Sequence, residues 1–138
     1  MRTVKTKGII IAEKTMSDFD KMLTILTPNL GKIECVAKGS RRPRSLLMAG
    51  TQFLCFGDYL LYKGSENYSM NSCETIELFY NIRTDLDKLK YAVYITKIIN
   101  DITTENQNNY KVLQLYLNTL YVISNTEKNL EFVTSIFR

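Results

Sequence analysis

Four cations fall within seven positions at Lys38-Gly39-Ser40-Arg41-Arg42-Pro43-Arg44, the densest charge in the chain. Such a cluster raises the local potential enough to attract anionic polymers. Arginine adds a planar fork that matches phosphate oxygens, where lysine acts as a point charge. Gly39, Ser40 and Pro43 keep the segment out of a regular helix or central strand, so these cations are expected on a loop. A second candidate is the pair Asp18 and Asp20, a DxD that could in principle hold Mg²⁺. No third carboxylate stands beside them in a recognisable pattern, and a solvated turn between strands explains them better.

Other chemistries are thinly supplied. The chain has no histidine, which removes Ser-His-Asp and Cys-His arrangements and the commonest general base near neutral pH. Glycine placement fits neither GxxxxGK nor GxGxxG, so the usual phosphate-cradling loops are missing. Cys35, Cys55 and Cys73 lie far apart with no CxxC pair, giving no disulfide framework and no zinc ribbon. They read as small residues of a reduced interior. No catalytic residue, metal site or cofactor is expected.

The 138 residues are 45% hydrophobic and 23% charged, the mixture of a globular chain with a core. The apolar run Ile9-Ile10-Ile11-Ala12 is too short for an export signal, and no stretch suits a membrane span. A cytoplasmic protein is expected. Formal net charge is +4, unevenly spread: residues 1–50 hold ten Lys/Arg against four Asp/Glu, residues 51–138 eight against ten.

The elements that would carry the basic loop follow from periodicity. Val4 to Lys14 is rich in β-branched residues and reads as a strand. Asp20 to Thr27 alternates, with Leu23 and Ile25 on one face and Met22, Thr24 and Leu26 on the other. Pro28-Asn29-Leu30-Gly31 is a turn. Lys32 to Lys38 returns with Ile33, Cys35 and Ala37 on one face and Lys32, Glu34, Val36 and Lys38 on the other. A short helical turn is predicted over Ser45–Ala49 with Gly50 as its stop, then a strand over Gln52–Lys63 with a bulge or bend at Gly57. Gly64 to Asn67 is a turn and Tyr68–Leu78 a fifth strand.

Strand, strand, strand, short helix, strand, strand is the element order of the OB-fold, a five-stranded Greek-key barrel. Such barrels bind oligonucleotides across strands two and three and the loops joining strands one–two and four–five. Here that surface includes Lys32, Lys38 and Lys63, and the basic loop starts where strand three ends. Tyr59, Tyr62 and Tyr68 lie on strands four and five, although an aromatic in a small barrel is more often core.

The second half changes period. Thr84 with Asp87 resembles a capping box. Leu86, Leu89 and Val93, and Tyr91, Ile95, Ile98 and Ile102, then recur at helical spacing. Thr103–Asn109 is a polar break, and a second helix is predicted from Tyr110 with Leu113, Leu117, Leu120 and Tyr121 on one stripe. After a break at Asn125–Asn129, Leu130–Arg138 starts a third apolar segment without a stop signal, as if the chain continues. The fold class is therefore mainly β then α: an OB-fold domain over 1–80 and an incomplete helical segment over 81–138.

The stretches KTKGIIIAEKT, DKMLTILTPNLGKIECVAKGSRRPRS and FLCFGDYLLYKG together resemble the N-terminal OB domain of the RecO family of DNA repair proteins. The turn, strand and basic loop of LTPNLGKIECVAKGSRRPRS carry most of the specificity. Ile82-Arg83-Thr84-Asp85-Leu86, Leu89 and Tyr91-Ala92 look like the start of that family's helical domain. The resemblance implies a non-enzymatic bacterial protein that works at the nucleoid. It binds single- and double-stranded DNA, anneals complementary strands and, with RecR, helps RecA displace single-strand-binding protein (SSB). Many relatives carry a four-cysteine zinc module later in the chain, which nothing here supplies. The helical domain, which carries SSB-tail binding in some relatives, is incomplete, so DNA binding rather than SSB binding is carried over.

On this reading Lys7, Lys32, Lys38, Arg41, Arg42, Arg44 and Lys63 neutralise phosphates with little base reading. The rival readings are an RNA-binding OB module, a protein-interaction scaffold whose basic loop meets an acidic partner, and a Mg²⁺-dependent nuclease on Asp18 and Asp20.

Overall fold

The computed structural model describes residues 2–103 and 108–126. Five strands, β1 (Arg2–Thr15), β2 (Lys21–Leu26), β3 (Lys32–Ala37), β4 (Phe56–Lys63) and β5 (Tyr68–Glu77), close into a barrel in the order β1-β2-β3-β5-β4. All neighbours are antiparallel except β3 and β5. This is the OB-fold. β1 serves two partners: Arg2–Ile9 pair with β4 and Ile9–Thr15 with β2, with an irregularity between Ile10 and Ala12. The predicted break at Gly57 is a register shift against β5. A side chain there would lie 2.6 Å from the Glu74 carbonyl oxygen, so only glycine lets β4 and β5 approach.

Three consecutive isoleucines are buried in β1 because both faces of the strand are covered at that point. Ile10 points into the barrel with Leu23, Ile25, Tyr59 and Leu61. Ile9 and Ile11 point outward into a second core shared with the helices. Those helices are α1 (Tyr80–Arg83), α2 (Leu86–Ile102) and α3 (Tyr110–Asn125). None among the described residues is long and apolar enough to cross a membrane. Leu26, grouped by alternation with Met22 and Thr24, is on the outer face with them but fully buried, because the helices cover that end of the sheet.

Several boundaries and stripes differ from expectation. The helical turn expected at Ser45–Ala49 is a 3-10 turn at Ala49–Thr51 that includes Gly50. Strand four starts at Phe56 rather than Gln52, because Leu54 adopts a left-handed backbone (φ 71°) that ends any extended run before it. Asp85, not Thr84, caps α2, its carboxylate accepting from the Asp87 and Lys88 amides. The buried face of α2 is Ala92, Ile95, Thr96 and Ile99, while Leu86 and Ile102 are exposed. In α3 the stripe runs through Leu113, Tyr116, Leu120 and Ile123, with Tyr121 at its exposed margin. The hydroxyls of Thr96 and Tyr116 meet at 2.5 Å across the two helices. The segment expected over Leu130–Arg138, and most of the two breaks before it, lie outside the described residues.

Cys35 and Cys55 are buried and Cys73 is partly so, all three unpaired. Burial pushes the Cys35 thiol up to about 12, as expected of an inert core residue.

Candidate nucleic-acid interface

The interface is built from two loops that the fold brings together at one end of β2 and β3. Met16–Asp20 joins β1 to β2, and the basic segment leaves β3 at Lys38. Lys21 pairs with Ala37 in the sheet, so the two loops necessarily start side by side. They are then tied. The Asp20 carboxylate accepts from the Gly39 amide at 2.7 Å, and Gly39 takes a left-handed backbone (φ 69°) to present it. The Arg41 amide donates to the Phe19 carbonyl at 3.0 Å. The Arg41 guanidinium donates to the Ser17 and Asp18 carbonyls at 2.9 and 3.0 Å. Arg42 lies over the Phe19 ring, 4.2 Å from its centroid.

The DxD is therefore part of the loop scaffold. Asp20 is occupied as a clamp and Asp18 contributes a backbone carbonyl. Among the described residues no group of three or more His, Cys, Asp or Glu is placed to hold a metal ion.

The Gly39 amide, then the Ser17 hydroxyl and the Lys38 and Arg42 charges, hold the Asp20 carboxyl below the usual carboxylate range against the opposing effect of desolvation. A depressed folded value means that the clamp is complete above the ordinary carboxylate range. It is lost as pH falls through the lowered value. The Gly39 amide resonance should therefore titrate with a midpoint below that of an unperturbed aspartate, and in Asp20→Ala the same amide should lose its hydrogen-exchange protection.

The seven cations singled out from sequence fall into three groups. Lys38, Arg41, Arg42 and Arg44 stand exposed together on the tied loops, and among the described residues none lies within ion-pair distance of a carboxylate. Lys32 and Lys63 border a groove of about 370 Å³ between the start of β3 and the loop joining β4 to β5, where Glu34 and Glu66 balance them. Lys32 is moreover engaged: its ammonium donates to the Asn100 carbonyl and side-chain oxygen, both at 2.9 Å. It thus supplies a cation to the C-terminal end of α2, whose last turn has no basic residue. Lys7 sits apart on the β1–β4 face, paired with its cross-strand partner Asp58 at 3.1 Å.

Two residues of the site escaped the sequence reading. Lys14 pairs with Met22, which pairs with Val36, so its charge joins the outer face of β1, β2 and β3. Alternation in the tail of β1 carried that signal. Phe19 is 38% exposed inside a polar loop, and only its contact with Arg42 marks it. Of the tyrosines, Tyr59 is core, its hydroxyl donating to the Gly50 carbonyl at 2.8 Å, while Tyr62 and Tyr68 are half-buried.

Family models described as recombination protein O N terminal and recombination protein O C terminal match residues 1–79 and 83–138. The chain belongs to the RecO family. It is 45% identical over 137 residues to the DNA repair protein RecO of Acetivibrio thermocellus, covering 99% of this chain and 55% of the relative. The RecO of Alkaliphilus metalliredigens is 37% identical over 97% of this chain and 54% of its own length. That of Clostridium novyi is 30% identical over 96% and 52%. The chain thus spans about half the length of these curated RecO relatives. Within this RecO chain the open cluster lies at the end of β2 and β3 away from the helices. The opposite end of the hairpin is held against them by Lys32 and by the Asn109 amide donating to the Pro28 carbonyl.

Proposed function

We propose that this chain is the DNA-capturing part of a RecO protein and binds single- and double-stranded DNA through the backbone. The observation that carries this is the group Lys38, Arg41, Arg42 and Arg44, exposed on tied loops and, among the described residues, with no carboxylate within ion-pair distance. Phosphate contacts of this kind carry no base information, so sequence preference is weak. One surface that screens two strands lowers their mutual repulsion, which gives complementary strands a route to anneal. The whole RecO protein then acts with RecR to help RecA displace SSB in the bacterial cytoplasm. Binding of SSB itself is not assigned to this chain.

Residues 1–80 are read as the nucleic-acid-binding unit and 81–138 as the start of the helical domain, supported by family matches that meet near residue 80. Because the two share a core, tests use the whole chain. Annealing of two complementary oligonucleotides carrying a donor and an acceptor dye should be faster with the protein than without it, and RNA of the same sequence should compete less well than DNA. Equal or better competition by RNA would favour an RNA-binding module, and no acceleration would remove the annealing role.

A further inference from the structure

We infer that Phe19 is a stacking platform for one unpaired nucleobase, masked in the free protein by Arg42. This rests on the DNA-binding reading above and gives that site a preference for single strands. Phe19 belongs to neither hydrophobic core, yet the backbone that carries its ring is held in place. Its carbonyl accepts from the Arg41 amide at 3.0 Å, the preceding Ser17 and Asp18 carbonyls accept from the Arg41 guanidinium, and the following Asp20 is bonded to Gly39. The Met16 amide, donating to the Asp20 carbonyl at 3.1 Å, closes the same loop. An exposed aromatic on a backbone fixed in this way binds with less loss of conformational freedom than one on a free loop.

The cover over the ring is exchangeable. A guanidinium on an exposed phenyl face is weakly held, and a phosphate offers it a stronger, charge-assisted partner. When a strand arrives, Arg42 turns to a phosphate and the adjoining base takes the vacated ring face. A base within a duplex is already stacked and paired, so only single strands gain from the exchange.

The chain has no tryptophan, so Phe19→Trp provides a single reporter at the site. Its emission should be quenched by oligo(dT) and little changed by an abasic oligonucleotide of equal length, which keeps the phosphates and lacks the bases. Phe19→Ala should weaken single-strand binding roughly 5- to 150-fold while leaving binding to a duplex of equal length within about twofold. Unchanged tryptophan emission at saturating oligo(dT), or equal weakening toward both DNA forms, would overturn the platform, the latter leaving Phe19 as a support for Arg42 alone. If the unmodified chain binds no single-stranded DNA, the functional reading fails with it. Binding that is intact and insensitive to Phe19→Ala removes only the platform.

Discussion

Tyr59→Ala should cost about 3–5 kcal/mol of folding stability, the range for removing a buried large aromatic. Against a typical total of about 5–15 kcal/mol for a domain, that is enough to leave much of the protein unfolded at moderate urea. Tyr59 has no exposed surface and fills the barrel between Ile10, Leu23 and Leu61. Its hydroxyl also donates to the Gly50 carbonyl at 2.8 Å and reaches the Cys55 carbonyl at 3.2 Å, tying the 3-10 turn and the approach to β4 onto the strand. Burial, with the neighbouring Cys55 next in effect, pushes its phenol far above the ordinary range, so it stays a neutral donor. Tyr59→Phe keeps the ring and loses the bond, leaving the Gly50 carbonyl short of this partner for about 1–3 kcal/mol, while the Cys55 carbonyl still accepts from the Ile10 amide. Urea unfolding followed by circular dichroism should rank wild type, Tyr59→Phe and Tyr59→Ala in that order of falling midpoint. Equal midpoints for wild type and Tyr59→Ala would mean that the ring does not fill the barrel.

Removing Arg41, Arg42 and Arg44 together should weaken single-stranded DNA binding on the order of 100-fold near 0.1 M salt, taking about fivefold for each phosphate no longer neutralised. The fold should be nearly untouched, because Arg42 and Arg44 are exposed and surface changes of this kind usually stay within about 0.5 kcal/mol. Arg41 differs from the other two. Its guanidinium already serves the Ser17 and Asp18 carbonyls, so its removal also loosens the loop that carries Phe19. Arg41→Ala alone should therefore raise hydrogen exchange in residues 16–20, and Arg44→Ala should not. Lys7→Ala, which breaks only the pair with Asp58, should change DNA affinity little.

The barrel was legible because its signals are local. Alternation in β2 and β3 grouped Ile33, Cys35 and Ala37 on one face, which is the face that lines the barrel, and the glycine at 57 marked the bend. Proline and glycine at 28 and 31 marked the hairpin turn. What the sequence concealed depends on contacts between distant residues. Lys32 looked like a free cation of the binding face, but its partner is Asn100, 68 residues away. Lys7 was matched by Asp58 only once β1 and β4 were in register. Leu26 broke its strand's alternation because helices cover the outer face there, which no pattern within β2 announces. The stripes of α2 and α3 were legible only in part, with Ile95, Leu113 and Leu120 in the core and Leu117 packed against it as expected but Ile99, Tyr116 and Ile123 not foreseen, for a related reason. Both helices are apolar on several sides, so periodicity alone did not choose between Ile98 and Ile99 as the residue facing the core. The basic loop itself was read correctly as a loop, whereas its clamp by Asp20 needed the three-dimensional neighbourhood of Gly39.

The most direct test is the salt dependence of single-stranded DNA binding, measured by fluorescence anisotropy on the wild-type chain and on Arg41→Ala/Arg42→Ala/Arg44→Ala. The slope of log affinity against log salt should fall in magnitude by about 2 in the triple variant, roughly 0.7 for each of three phosphates, whatever the sequence of the oligonucleotide. An unchanged affinity and slope would contradict the account, placing DNA elsewhere on the protein and leaving the basic loop to meet an acidic protein partner.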